Sequence, residues 1–274
     1  MSGIIMPFLG ITSQVGQVPP NQIPNLSLWY NASANQTSVS GVLTNDFQSS
    51  PLTDGTEVTQ WKDLSGVGQD ANIYNAGGGN GPTYKTGIQN GLSALLYASA
   101  SKNNLDINPI GAWAKLKAGF TVYVVGKWTT LGAGNIQIAV TDANLGHQWS
   151  GSYWQVGAAG GLATAQSTTV STTAWTQHGM IFDGSFTDAN QATQNAGRLK
   201  YRYNKAQQTL TFSANPGTST ASSNVFYVGG NNRGTGLSKS YMDGYLGEIM
   251  IWTRALTAVE IGQVETYISA KWGI

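Results

Sequence analysis

The sequence predicts an all-β fold: a two-sheet antiparallel sandwich with a short C-terminal helix and an extended N-terminal arm. Three observations carry this reading. Short runs rich in Val, Ile, Thr and aromatic residues fall at 26–31, 57–61, 92–97, 120–128, 136–140, 175–182, 199–203, 209–212, 225–228 and 245–252, separated by Gly, Asn, Asp, Ser and Pro. Within 120–128, Phe120, Val122, Val124 and Trp128 alternate with Thr121, Tyr123, Val125 and Lys127. That is period two with both faces partly apolar, as in a strand inside a sandwich. Finally, the 274 residues are only 10% charged and include 35 Gly, against averages of about a quarter charged and about 7% Gly. With 41% hydrophobic residues and nine Trp, the chain can bury a core of its own.

Residues 1–25 stand apart. They carry no charge, start with the apolar Ile4, Ile5, Met6, Phe8 and Leu9, and end in a stretch holding Pro19, Pro20 and Pro24. Proline at that density favours extended chain over helix. Such a stretch is either an unstructured terminus or an arm packed on its own domain or a neighbour; the expectation is a docking arm. Residues 26–274 then form one domain, since no 20–50-residue period marks a propeller or solenoid. Its helix is written in residues 256–273: Thr257 and Glu260 make a capping box, with Leu256 and Ile261 as a hydrophobic staple. Ile261, Val264 and Ile268 follow at helical spacing, and Gly273 supplies a left-handed stop.

Charge and cysteine usage exclude several functions. Fourteen Lys and Arg against thirteen Asp and Glu give a net +1 spread along the chain, with no basic stripe for nucleic acid or anionic lipid. The longest apolar runs fall far short of the ~18–20 residues of a spanning helix. Zero cysteine excludes disulfides and thiolate metal sites. The first residues lack a basic n-region, so the expected place of folding is a cytoplasm.

Certain residues have a familiar order: Leu26, Leu28, Trp29 and Tyr30; Val58, Gln60, Trp61, Asp63 and Gly66; Pro82 and Tyr84; Asn90, Gly91 and Leu92. Later come Phe120 to Val125, Leu199 to Gln208, and Gly244 to Leu256 leading into the helix. Over residues 26–274 the chain resembles a concanavalin A-like, LamG-type jelly-roll domain of the kind found in tailed-phage virion proteins. The resemblance implies a plain Asn-Gly turn near 204–206; Lys205 and Ala206 stand there, so a longer or bulged connection is expected. It also implies an Asp before Glu248, where this chain has Gly247.

The enzymes of that superfamily carry carboxylates along one strand, and retaining glycoside hydrolysis needs two carboxyls about 5 Å apart. Only Glu57, Glu248, Glu260 and Glu265 are present; the last two fall in the helix, and neither of the others has a carboxylate two residues away. A non-enzymatic protein is expected. His147 and His178 are too few for a zinc site, and His178 reads as a half-buried strand residue. Asp183 and Asp188 offer oxygens for Ca²⁺ but lack the EF-hand glycine and glutamate, and a turn built on side-chain hydrogen bonds competes with that use. No cofactor is otherwise expected. The best binding candidate is the aromatic loop 146–154, where Trp149, Tyr153 and Trp154 would stack on sugar rings. Gln148 and the stretch Asn231, Asn232 and Arg233 would take hydroxyls. These tryptophans alternatively point into the core or cover a subunit contact.

The resemblance and the arm together imply a virion structural protein: a capsid decoration (cement) protein, or a tail or fibre adhesin. It would sit on the virion surface, partnered by other virion proteins, by copies of itself and by a host-surface glycan. A free carbohydrate-binding module or lectin is the alternative, and a glycoside hydrolase the third reading.

Overall fold

Two core layers are built on the alternation seen in residues 120–128. The computed structural model describes residues 17–33, 43–44, 52–73, 80–107, 118–130, 135–140, 145–149, 154–158, 161–165, 174–219, 226–230 and 241–274. Side chains at 43–44, 135–140, 145–149, 154–158, 161–162 and 165 lie outside the description. Along these residues run β1 (Leu26–Asn31), β2 (Leu43–Thr44), β3 (Gln60–Trp61), β4 (Ala71–Asn72), β5 (Thr83–Gln89), β6 (Leu92–Tyr97), β7 (Leu105–Ile107) and β8 (Gly119–Trp128). Next come β9 (Asn135–Val140), β10 (Leu145–Trp149), β11 (Trp154–Ala158), β12 (Gly161–Ala165), β13 (Thr176–Asp183) and helix α1 (Gln191–Arg198). The chain closes with β14 (Leu199–Tyr203), β15 (Ala206–Gln207), β16 (Leu210–Ala214), β17 (Phe226–Val228), β18 (Gly244–Trp252) and helix α2 (Ala258–Trp272).

Sheet I has the order β15-β14-β13-β8-β18-β6-β5, with β1 also on β18; sheet II runs β16-β12-β11-β10-β9-β17-β7-β4-β3-β2. The ladders are antiparallel, and the fold is the expected sandwich with a C-terminal helix. Phe120, Val122, Val124 and Trp128 of β8 join Ile249 and Ile251 of β18 in one core with Trp61, Leu105, Phe226 and Val228 of sheet II. On the other side of β8, Tyr123 and Val125 join Met250 and Trp252 under Val264, Ile268 and Trp272 of α2. Each fully buried side chain of this size is worth about 1.5–3 kcal/mol. Both faces of β8 are apolar because one meets sheet II and the other meets the helix.

Helix α2 begins and ends as its sequence dictates. Thr257 Oγ1 accepts from the Glu260 N–H, Glu260 accepts from the Thr257 N–H, and Gly273 stops the helix at φ 68°. Its anchor is the Glu248 carboxylate on β18, fully buried, which accepts from Trp29 Nε1 (2.7 Å), Tyr267 OH (2.9 Å), Lys271 Nζ (2.9 Å) and Trp272 Nε1 (2.7 Å). The β18–β8 register shifts between Leu246 and Glu248, so Gly247 sits at a bulge. A Cβ at Gly247 would lie 2.2 Å from the Trp272 ring, which is why the aspartate implied by the resemblance does not fit here.

Several local expectations are corrected. Helix α1 was not foreseen: its residues show no apolar period, and it is held by the Asn190 side chain at its N-cap and by Arg198, which donates to the carbonyls of Phe186 and Pro216. The connection at Asn204 and Lys205 is a tight two-residue turn, both residues left-handed at φ 45° and 69°, in place of the longer one expected. A non-glycine residue there costs about 1 kcal/mol. The stretch 146–154, read as an aromatic loop, has paired strands at both ends: residues 146–149 belong to β10, and Trp154 opens β11. Near the N-terminus, Ile23 is buried beneath α2 and its carbonyl accepts from Trp252 Nε1. The arm residues Ile4, Ile5, Met6, Phe8 and Leu9 lie outside the described residues.

Two outcomes are expected. Gly247→Ala pushes Trp272 away from the sheet, lowering stability by about 1–3 kcal/mol in urea unfolding; an unchanged midpoint would contradict the packing. The second is a pH effect. The Arg254 guanidinium, hydrogen-bonded to Glu260, holds that carboxyl at about 2 against an ordinary 4.5. Because the folded value is the lower one, its stabilisation is complete above about pH 4.5 and lost as pH falls toward 2. Glu260→Gln is therefore less stable than wild type at pH 7, and the gap closes between pH 5 and 2; a gap independent of pH would refute this.

Candidate functional site

Sheet II brings together residues far apart in sequence. Its ladders pair Gln60 with Asn72, Asn72 with Asp106, and Asp106 with Tyr227; the row continues through Ala139, Gly146 and Gly157. The neighbours along each strand, Trp61, Ala71, Leu105, Phe226 and Val228, belong to the core between the sheets. Side chains alternate along strands, so the row itself lies on the outer face. It is nevertheless sheltered: Gln60 is 6%, Asp106 4% and Tyr227 1% exposed. Beyond Tyr227 the row runs through Ala139, Gly146 and Gly157 to Leu162.

The hydrogen bonding of this row is incomplete. Gln60 Nε2 donates to Asn72 Oδ1 at 2.8 Å, and Asn72 Nδ2 donates to the Asp70 carbonyl at 3.2 Å. Asn104, two residues before Asp106, donates Nδ2 to the Lys102 carbonyl at 3.0 Å. Gln60 Oε1 and Asn104 Oδ1 are buried and receive no hydrogen bond. A buried acceptor left without a donor costs about 1–3 kcal/mol, and natural proteins keep few of them. Both atoms ask for a donor, a hydroxyl or an N–H.

The residues singled out in the sequence are placed differently. Position 148 pairs with 155, and 155 with Thr164, whose partner Thr211 is exposed; Gln148 therefore shares the outer face. Trp149 pairs with Trp154, Trp154 with Ala165, and Ala165 with Leu210, which packs on the core. These ladder positions fall on the face opposite Gln148. Tyr153, Asn231, Asn232 and Arg233 lie outside the described residues. Gln60, Asn72, Asn104, Asp106 and Tyr227 were missed. Their signal was present as a polar residue between apolar ones, as in Leu105-Asp106-Ile107 and Phe226-Tyr227-Val228, but the runs are too short to stand out.

Elsewhere the ionisable groups have structural duties. Glu57 accepts from the Gly81 N–H, Asp243 from Ser99, and Glu265 from Tyr123 and both ends of the Arg202 guanidinium. His178 is 2% exposed, deeper than the half-buried place expected of it, with Tyr201 OH at 2.6 Å and Thr176 Oγ1 at 2.8 Å from its ring nitrogens. Asp183 accepts from Ser185, and Asp188 from the Asn190 N–H, so both carboxylates shape the turn ahead of α1. Among the described residues, no three His, Asp or Glu side chains gather as a metal cluster would.

No family model matches the sequence, and no curated protein does. Among solved structures, the fold is similar to domain 4 of AbnA, a GH43 extracellular arabinanase from Geobacillus stearothermophilus, in complex with arabinotriose. That likeness has 14% identity, covers 89% of this chain and 98% of that one, and has a TM-score of 0.55. The fold is also similar to Trypanosoma rangeli sialidase in complex with the inhibitor DANA, at 13% identity and a TM-score of 0.52 over 88% of this chain. The chain spans 32% of that sialidase. The virion role expected from the sequence is thereby corrected: these two similar structures are an arabinanase domain and a sialidase, and neither supports the capsid, tail and fibre assignments. What this likeness establishes is a jelly-roll-like β-sandwich.

Proposed function

We propose that this chain is a non-catalytic saccharide-binding sandwich that takes its ligand on the outer face of sheet II. The observation that carries the reading is two buried, undonated amide oxygens: Gln60 Oε1, two strands from Asp106 along the row, and Asn104 Oδ1, two residues before Asp106. Sugar hydroxyls are donors of the kind these acceptors lack, and sites for polar ligands fix them with a few placed polar groups. The fold shared with an arabinanase domain holding arabinotriose supports the ligand class without naming the sugar.

Binding without hydrolysis is part of the proposal. Hydrolysis of a glycoside takes two carboxyl groups about 5–9.5 Å apart across the bond. On the described row Asp106 is the one carboxylate, and Glu57, Glu248, Glu260 and Glu265 are engaged in hydrogen bonds elsewhere.

Calorimetric titration with a panel of neutral trisaccharides, arabinotriose first, tests both parts. At least one trisaccharide is expected to bind wild type. Gln60→Met, which removes the undonated oxygen, is expected to weaken that binding about tenfold or more, equivalent to about 1.4 kcal/mol. Its stability is expected to fall by about 1 kcal/mol, because the change also removes Nε2, which donates to Asn72 Oδ1. Unaltered affinity in Gln60→Met, or no binding across the panel, overturns the site; sugar cleavage during the titration overturns the non-catalytic reading.

A further inference from the structure

A second site lies on the other side of the molecule. Where α2 ends, the outer face of sheet I is left uncovered, and a groove of about 580 Å³ opens there, a volume within the range of small-molecule sites. Its lining includes Gln89, Lys127, Trp175, Gln177, Asn204 and Lys205. Trp175 is braced on its own side, stacked on Trp272 at 5.2 Å and tilted against Tyr245 at 6.1 Å.

Three features of this groove have no structural use. Gln177 is 2% exposed; its Nε2 donates to Ser269 Oγ at 3.1 Å, and its Oε1 is buried with no donor. Lys127 and Lys205, like Lys102 and Lys200, have no ion-pair partner among the described residues, whereas Lys62, Lys85 and Lys271 each have one. No aspartate or glutamate side chain lines the groove. Lys205 also occupies the left-handed second place of its two-residue turn, at φ 69°, where glycine is strongly preferred. Backbone strain kept at a cavity rim by a charged residue points from the outlier to a use.

From these residues we infer that the groove binds an acidic saccharide unit, its carboxylate between Lys127 and Lys205 and a hydroxyl donating to Gln177 Oε1. A carboxylate supplies the charge that two unpaired ammonium groups favour. Asn204 and Gln89 supply amides for the remaining hydroxyls, and Trp175 an apolar wall. The ligand class rests on the saccharide reading above, but the site shares no residue with sheet II, so the two fail separately.

The test is titration with trigalacturonate and with its fully methylated ester, in wild type, Lys205→Gly and Lys127→Ala. Wild type is expected to bind the acid at least tenfold more tightly than the ester, with the preference shrinking as salt is raised. Lys205→Gly is expected to weaken acid binding about tenfold while raising Tm by about 2 °C, because glycine relieves the turn. Lys127→Ala is expected to weaken the acid similarly, and neither variant to alter neutral-trisaccharide binding. Equal affinity for acid and ester, acid binding untouched by both lysine variants, or no acid binding at millimolar concentration each overturns the inference. Gln60→Met leaving acid binding intact keeps the groove standing even if the sheet II site fails.

Discussion

A buried carboxylate must be neutralised by hydrogen bonds or charge, and in this molecule that requirement organises one whole side. Glu248 lies with no exposure between sheet I and α2, and its two oxygens collect donors from Trp29, Tyr267, Lys271 and Trp272. Taking Lys271 away removes the cationic partner of this buried carboxylate, which is far more costly than losing an exposed ion pair. β1, β18 and the last turns of α2 are therefore locked together by one side chain. The bulge at Gly247 belongs to the same device, since only glycine leaves the space that the Trp272 ring fills.

Fixing α2 in this way leaves the outer faces of the two sheets unlike each other. Sheet I spends most of its outer face on the helix, where Tyr123, Val125, Met250 and Trp252 are covered. What remains of that face is the groove past Gly273, floored by Gln177 and Lys127. Sheet II has no helix over it among the described residues, and its outer row keeps Gln60, Asn72, Asp106 and Tyr227 in register across β3, β4, β7 and β17. Both faces hold buried amide oxygens without donors, Gln60 and Asn104 on one side, Gln177 on the other. A protein selected for stability alone would place apolar side chains at such positions.

How much of this was legible in the sequence follows from where each signal lies. Strands such as 120–128 and 245–252 were readable because they are buried on both faces, and long β-branched and aromatic runs result. The α2 cap was readable because Thr257 and Glu260 act on each other across three residues. β4, β7 and β12 were not: they are short, and half their residues are Asn, Asp, Gly or Ala, which look like loop. α1 was hidden because its hold on the fold comes from Arg198 and Asn195 hydrogen bonds instead of an apolar stripe. The polar row of sheet II was invisible for a further reason. Residues 60, 72, 106 and 227 meet only through non-local pairing, whereas Trp149 and Trp154 stand out along the chain as aromatics although their ladder positions fall on the core side.

The direct measurement is a crystal structure of the protein grown with the tightest-binding neutral trisaccharide. The account requires sugar hydroxyls within hydrogen-bond distance, about 2.7–3.0 Å, of Gln60 Oε1 and Asn104 Oδ1. A trisaccharide seated elsewhere, with those two oxygens bonded to protein donors, would contradict it.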